Sequence, residues 1–141
     1  MTGFVRRYKP DVLVTQDFNG EYGHGAHRAT ADAAVKAVTY AANAQKYPDS
    51  AAAYGTWSVS KVYVHLYAEQ QLKLDWQVPL AAFDGKDGET IATEALACHV
   101  SQMKHGWAME EGGDNDNTLF GLYATTVGPD VLGNDLMENI N

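Results

Sequence analysis

One cysteine, Cys98, stands in the whole chain of 141 residues. It has no partner for an internal disulfide, and a cysteine-rich zinc module is out of reach. Basic side chains are also scarce: 10 Lys and Arg face 18 Asp and Glu, a net charge of −8. Such a surface repels phosphate backbones, and no basic run offsets it. Nucleic acid and anionic membrane surfaces are therefore poor partners. No apolar run approaches the roughly 18 residues that a membrane span needs. The opening "MTGFVRRYKP" is too short and too charged for a signal peptide. Internal repeats and low-complexity blocks are absent. A cytoplasmic protein is expected.

What is present suits one α/β domain over residues 1–141. Hydrophobic residues make up 45% and charged residues 20%, enough for a core and too ordered for a disordered chain. Residues 1–9 read as a helix end, with Arg6, Arg7 and Lys9 in the last turn and Pro10 beyond it. "DVLVTQD", Asp11 to Asp17, reads as a buried parallel strand. From Ala26 to about Gln45 the chain is Ala-rich without Gly or Pro, a helix with a small-residue stripe of Ala33, Ala34, Ala37, Val38 and Ala41. "YPDSAAAYG" reads as a connection. "SKVYVHLY" is a second strand, with Val62, Val64 and Leu66 on one face and Tyr63, His65 and Tyr67 on the other. "EQQLKLDWQVPL" suits a short strand or an extended arm. A helix from about Glu89 to Lys104 would turn Ala92, Leu96, His99 and Met103 inward. "EEGGDNDN" reads as a solvated loop, lacking the spacing of a calcium-binding loop. "TLFGLYATTVG" is a third strand candidate. Alternating strands and helices predict parallel pairing.

In open parallel sheets, ligands sit beyond the carboxyl ends of the strands. Asp17 falls at that end of the first strand. The stretch "GEYGHGAH", Gly20 to His27, then places two of the five histidines three residues apart, among glycines, where the long helix begins. Spacing of three within a first helical turn points both rings one way. The helix amino terminus disfavours a charged imidazole and keeps it able to ligate metal. The pair offers at most two ligands, whereas a zinc site needs three from protein. A hydrogen-bonded loop pair, with His24 capping and His27 half exposed, is the plainer alternative.

"PDVLVTQDFNGEYGHGAH" resembles the second motif of the LmbE-like, or PIG-L, deacetylase family. "WSVSKVYVHLY", "LDWQVPL", "ALACHVSQ" and "DLMEN" resemble further segments of one branch of that family, in the same order. The resemblance implies a Rossmann-like three-layer fold with a mostly parallel sheet. It implies a zinc-dependent hydrolase that deacetylates N-acetylglucosamine-type conjugates or related amides. His27 would then ligate zinc and His24 would steady the oxyanion, with Asp17 or Glu21 as its carboxylate partner. Glu21, Tyr22, His99 and Gln102 would face the substrate. The family's first motif, Ala-His-Pro-Asp-Asp-Glu, supplies the other metal ligands and the base, and it does not occur here. The chain thus resembles a carboxyl-terminal portion, with weak zinc binding and little activity alone. A complementing amino-terminal segment or self-association is expected. A non-catalytic α/β binding or interaction module is the alternative.

The remaining candidates read as structure. His65 between tyrosines suits packing, and His105 near a helix end suits the dipole. Trp57, Trp76 and Trp107 could stack on sugars but fit core or interface roles. Cys98 and His99 are neighbours on a helix and do not face each other.

Overall fold

The computed structural model describes residues 1–103, 108–109, 111–133 and 135–140, with Gln102 described by its backbone alone. They fall into two compact units, Met1–Lys73 with Leu119–Asn141, and Leu74–Thr118. No described helix is long and apolar enough to cross a membrane.

The first unit holds helix α1 (Thr2–Tyr8), strand β1 (Val12–Thr15), helices α2 (Gly25–Ala41) and α3 (Pro48–Tyr54), and strands β2 (Lys61–His65), β3 (Gln71–Lys73) and β4 (Leu119–Thr125). The sheet order is β1-β2-β4-β3. β1 runs parallel to β2, with Thr15 beside Val64, while β4 is antiparallel to both β2 and β3. The sheet is therefore mixed, and the expectation of a mostly parallel sheet does not hold. The apolar pattern of β4 fits either direction, and the long connection through residues 74–118 permits either. One glycine shows how tightly β4 is held: a Cβ on Gly121 would lie 2.1 Å from the carbonyl oxygen of Tyr67. Only glycine lets the 66–70 turn lie against the strand.

The faces of β2 differ sharply. Val62 joins Val5, Ala37, Ala41 and Val59 in the buried core, with Leu13, Val35, Val38 and Trp57 packed against it. The helices α1 and α2 thus lie on that face, brought close by alanines. Within α2, Ala31, Ala34, Ala37 and Ala41 are buried, so the stripe runs through Ala31 rather than the exposed Ala33. On the opposite face Lys61, Tyr63 and His65 are all buried. Lys61 Nζ and the Tyr63 hydroxyl both meet the Asp130 carboxylate, which comes from the carboxyl-terminal segment. That segment, not a second helical layer, covers this face within the unit.

Residues 48–54, expected as a connection, are the helix α3. Pro48 opens it with a preset φ and three alanines carry it. Arg6, fully buried, ties α1 to the end of α2. Its guanidinium donates to the carbonyls of Tyr40, Ala41, Asn43, Lys46 and Tyr47 and to the Ser50 hydroxyl. The last carbonyls of a helix lack internal partners, and a cation there also suits the dipole.

In the second unit the expected single helix is two, α4 (Gly88–Ala97) and α5 (Val100–Met103). Asp87 caps α4 by accepting from Thr90 N–H at 2.8 Å. At its other end the N–H groups of Cys98 and His99 bond three residues back, to Ala95 and Leu96. This tightened turn rotates the stripe. Ala92 and Leu96 stay half-buried, but His99 and Met103 are exposed. The inward placement of His99 is therefore corrected. The stretch "EEGGDNDN" is not wholly solvated either: Asp116 is buried and accepts from the N–H groups of Gly112 and Thr118.

Candidate functional site

Parallel pairing sets the carboxyl ends of β1 and β2 side by side. Gln16 and Asp17 leave one end, and His65 closes the other. The chain then turns through Phe18–Gly20 into a 3-10 turn at Glu21–Gly23, and α2 begins at Gly25. Gly20 has φ +73°, and a Cβ there would lie 2.4 Å from the His24 carbonyl oxygen and 2.5 Å from Arg28 Cγ. The turn folds because that position has no side chain. Tyr22 is held at φ 48°, an unusual region for a residue with a Cβ.

The turn delivers Glu21 inward, against expectation. Its carboxylate lies between two imidazoles: Oε1 is 2.7 Å from His65 Nδ1, and Oε2 is 2.7 Å from His27 Nδ1. The backbone N–H of Asp17 donates to Oε1 at 2.9 Å. The Gln16 amide, turned to satisfy its surroundings, donates to Oε2 at 2.6 Å. Burial pushes the Glu21 carboxyl up, but the Asp17 N–H and the two imidazoles outweigh it and hold the group below its ordinary range. Both oxygens are engaged, so Glu21 is placed to hold side chains rather than to meet a substrate.

His24 is the N-cap of α2. Its Nδ1 accepts from Ala26 N–H at 3.3 Å, and the ring is exposed. His27, one turn into the helix, is half-buried. The two ring centres are 4.7 Å apart. The exposed Tyr22 meets both edge-on, 5.9 Å from His24 and 5.3 Å from His27. Asp17 Oδ1 accepts from Asn19 N–H at 3.1 Å, a local turn that steadies the loop. Among the described residues, then, Asp17, Glu21, Tyr22, His24 and His27 come together. His99 belongs to the other unit. The Gln102 side chain, His105 and Trp107 lie outside the described residues.

His65 and Gln16 were missed as site residues. The signal existed: His65 ends the strand expected to pair in parallel with β1, so it had to arrive at the same rim as Asp17. Its tyrosine neighbours suggested packing instead.

A zinc ion needs at least three protein ligands gathered around one point. Among the described residues no three His, Cys, Asp or Glu side chains are grouped to hold a metal. His27 offers Nε2, with a carboxylate behind its other nitrogen, which suits one ligand of a site. One imidazole is not a site. The described residues do not by themselves fit zinc.

Compared with curated proteins, the chain is 30% identical over 129 residues to the 1D-myo-inositol 2-acetamido-2-deoxy-alpha-D-glucopyranoside deacetylase of Rhodococcus opacus, covering 92% of this chain and 35% of that protein. It is 44% identical over 111 residues to the protein of the same name from Geodermatophilus obscurus, covering 72% of this chain and 37% of that one. A third, from Tsukamurella paurometabola, is 34% identical over 73% of this chain and 41% of its own length. The chain thus spans well under half the length of these relatives. No family model matches it, and no solved structure matches it. The similarity to named deacetylases supports the LmbE/PIG-L resemblance.

Proposed function

We propose that this chain carries the imidazole-bearing rim of a zinc-dependent amide hydrolase of the LmbE/PIG-L kind, acting on N-acetylglucosamine-type conjugates. The observation that supports it is the pair His24 and His27, ring centres 4.7 Å apart at the rim of the β1–β2 pair. It lies in a chain similar along most of its length to named deacetylases. Zinc, when bound by a complete ligand set, would polarise the amide carbonyl and activate water. The chain's own part is narrower. His24 would donate a hydrogen bond to the oxygen that gains charge as the carbonyl becomes tetrahedral. His27 would contribute one ligand. Tyr22, over both rings, would face the sugar. Asp17 would hold the loop and, through its N–H, Glu21. The remaining ligands and the base would come from a complementing segment. Self-association is also proposed, because Val14 on β1 is exposed at the edge of the sheet and invites a second strand.

The test is amine release from 1D-myo-inositol 2-acetamido-2-deoxy-alpha-D-glucopyranoside in the presence of zinc. The chain is assayed alone and with a separately expressed amino-terminal segment of the Geodermatophilus obscurus relative. The expected result is no release alone, release with the segment, and a loss of about 10²–10³-fold on His24→Ala. Bound zinc on the isolated chain should fall well below one per molecule. No release in any mixture overturns the proposal. Tightly held, stoichiometric zinc on the chain alone overturns the incomplete-site reading. If the mixture is silent while the chain binds the substrate, a non-catalytic α/β module is the better description.

A further inference from the structure

We infer that Glu21 is a positioning residue that, with the buried His65, locks His27 as its Nδ1–H tautomer, while the cap of α2 locks neighbouring His24 as the opposite, Nε2–H tautomer. The use of the rings in hydrolysis rests on the function proposed above. The tautomers follow from geometry alone.

An ionised carboxylate accepts hydrogen bonds and donates none. Glu21 is ionised in this setting, since the Asp17 N–H and the Gln16 amide both donate to it. Each of its oxygens lies 2.7 Å from an imidazole Nδ1. Both of those nitrogens must therefore carry a hydrogen. The Gln16 nitrogen also lies 3.3 Å from His27 Nδ1, but Glu21 Oε2, at 2.6 Å, is its nearer acceptor. A neutral His27 with its proton on Nδ1 presents a lone pair at Nε2. His24 is wired the other way. The group facing its Nδ1 is the Ala26 N–H, which only donates. That nitrogen must offer its lone pair, so the proton of the neutral ring sits on Nε2.

Two adjacent rings thus show opposite tips, a donor on His24 and an acceptor on His27. Amide hydrolysis at a metal asks for this pairing: an N–H aimed at the oxygen that gains charge, and an unprotonated nitrogen for a cation. The sequence produces it with few parts. Gly20 permits the turn that sends Glu21 inward, α2 supplies the Ala26 N–H, and the parallel neighbour β2 supplies His65. His65 is the counterweight. Buried and bonded to Oε1, it fixes the rotation of the carboxylate so that Oε2 stays aimed at His27.

Long-range proton–nitrogen correlation spectra of the full chain, labelled with 15N at histidine and recorded near pH 8, read the tautomers directly. The expected result is Nδ1–H for His27 and His65 and Nε2–H for His24. A glutamine at position 21 has one acceptor and one donor in place of two acceptors. Glu21→Gln should therefore switch either His27 or His65 to Nε2–H while the backbone amide spectrum stays folded. His65→Phe should leave His27 a mixture of both forms. A wild-type His27 found as Nε2–H, or as a mixture, overturns the inference. So does a folded Glu21→Gln protein with no tautomer change. Should the variants fail to fold, the wild-type spectrum still decides. Expected tautomers with no amine release under complementation would sink the functional proposal and leave this wiring intact, and the reverse result would separate the two just as cleanly.

Discussion

Asp130 is the most consequential side chain outside the site. Its carboxylate meets both Lys61 Nζ and the Tyr63 hydroxyl, and Lys61 and Tyr63 are completely buried. Removing one partner of a buried pair strands the other charge and costs about 3–5 kcal/mol. Against a domain stability of about 5–15 kcal/mol, that is a large share. Asp130→Ala should therefore lower the melting temperature by roughly 10–20 °C, read by calorimetry or circular dichroism. The charge argument makes a second demand. Replacing the cluster together, as Lys61→Met with Tyr63→Phe and Asp130→Leu, leaves no stranded polar group. Such replacements are often neutral or stabilising. The triple variant should thus melt well above Asp130→Ala. If Asp130→Ala costs less than about 1 kcal/mol, or if the triple variant melts as low as the single one, the cost is not one of stranded charge and the reasoning fails.

Two further outcomes follow from the same residues and their neighbours. Glu138 accepts from the N–H groups of Val131, Leu132 and Gly133, which together with Lys61 hold its carboxyl below the ordinary range. A lowered folded value means that the contact stabilises above the unfolded pKa, about 4.3, and is lost as pH falls through the folded one. In an NMR titration the three amide signals should move together with a midpoint below that value, and a midpoint at or above it contradicts the assignment. Thr15 Oγ1 is buried with no hydrogen-bond partner among the described residues. Thr15→Val keeps the shape and removes the unsatisfied hydroxyl, so it should raise unfolding free energy by about 1 kcal/mol in denaturant melts. A loss of stability would show that the hydroxyl is satisfied in solution.

Much of the fold was legible because its signals are local. β1, α2 and β2 follow from an apolar run, an alanine-rich stretch free of breakers, and a period-two pattern. The misses were of another kind. The direction of β4 is set by which strand it finds in space, and Leu119–Thr125 carries no mark of that direction. The break after Ala97 comes from a three-residue hydrogen-bond step at Cys98 and His99, which no stripe of apolar positions encodes. The reading of α3 as a connection gave its turn residues too much weight against three alanines.

The site shows the same division in its sharpest form. His24 and His27 announce themselves by spacing, and the cap role of His24 was among the alternatives the sequence left open. What decides their chemistry is Glu21, and its inward aim depends on a positive φ at Gly20 and on the position of His65, 44 residues further along. Neither can be read from a short window. Yet one rule joins them: β1 and β2 pair in parallel, so whatever ends one strand stands beside whatever ends the other. A histidine that closes β2 therefore belongs with the loop that leaves β1, whatever flanks it in sequence. Had β2 run antiparallel to β1, His65 would stand at the far end of the sheet and Glu21 would face a single imidazole. Its Oε1 would keep the Asp17 N–H but lose the imidazole that helps to hold the carboxylate against His27. The parallel pair thus brings in the second imidazole that braces Glu21, while the glycine-rich loop and the start of α2 supply the contacts that set the two rings apart.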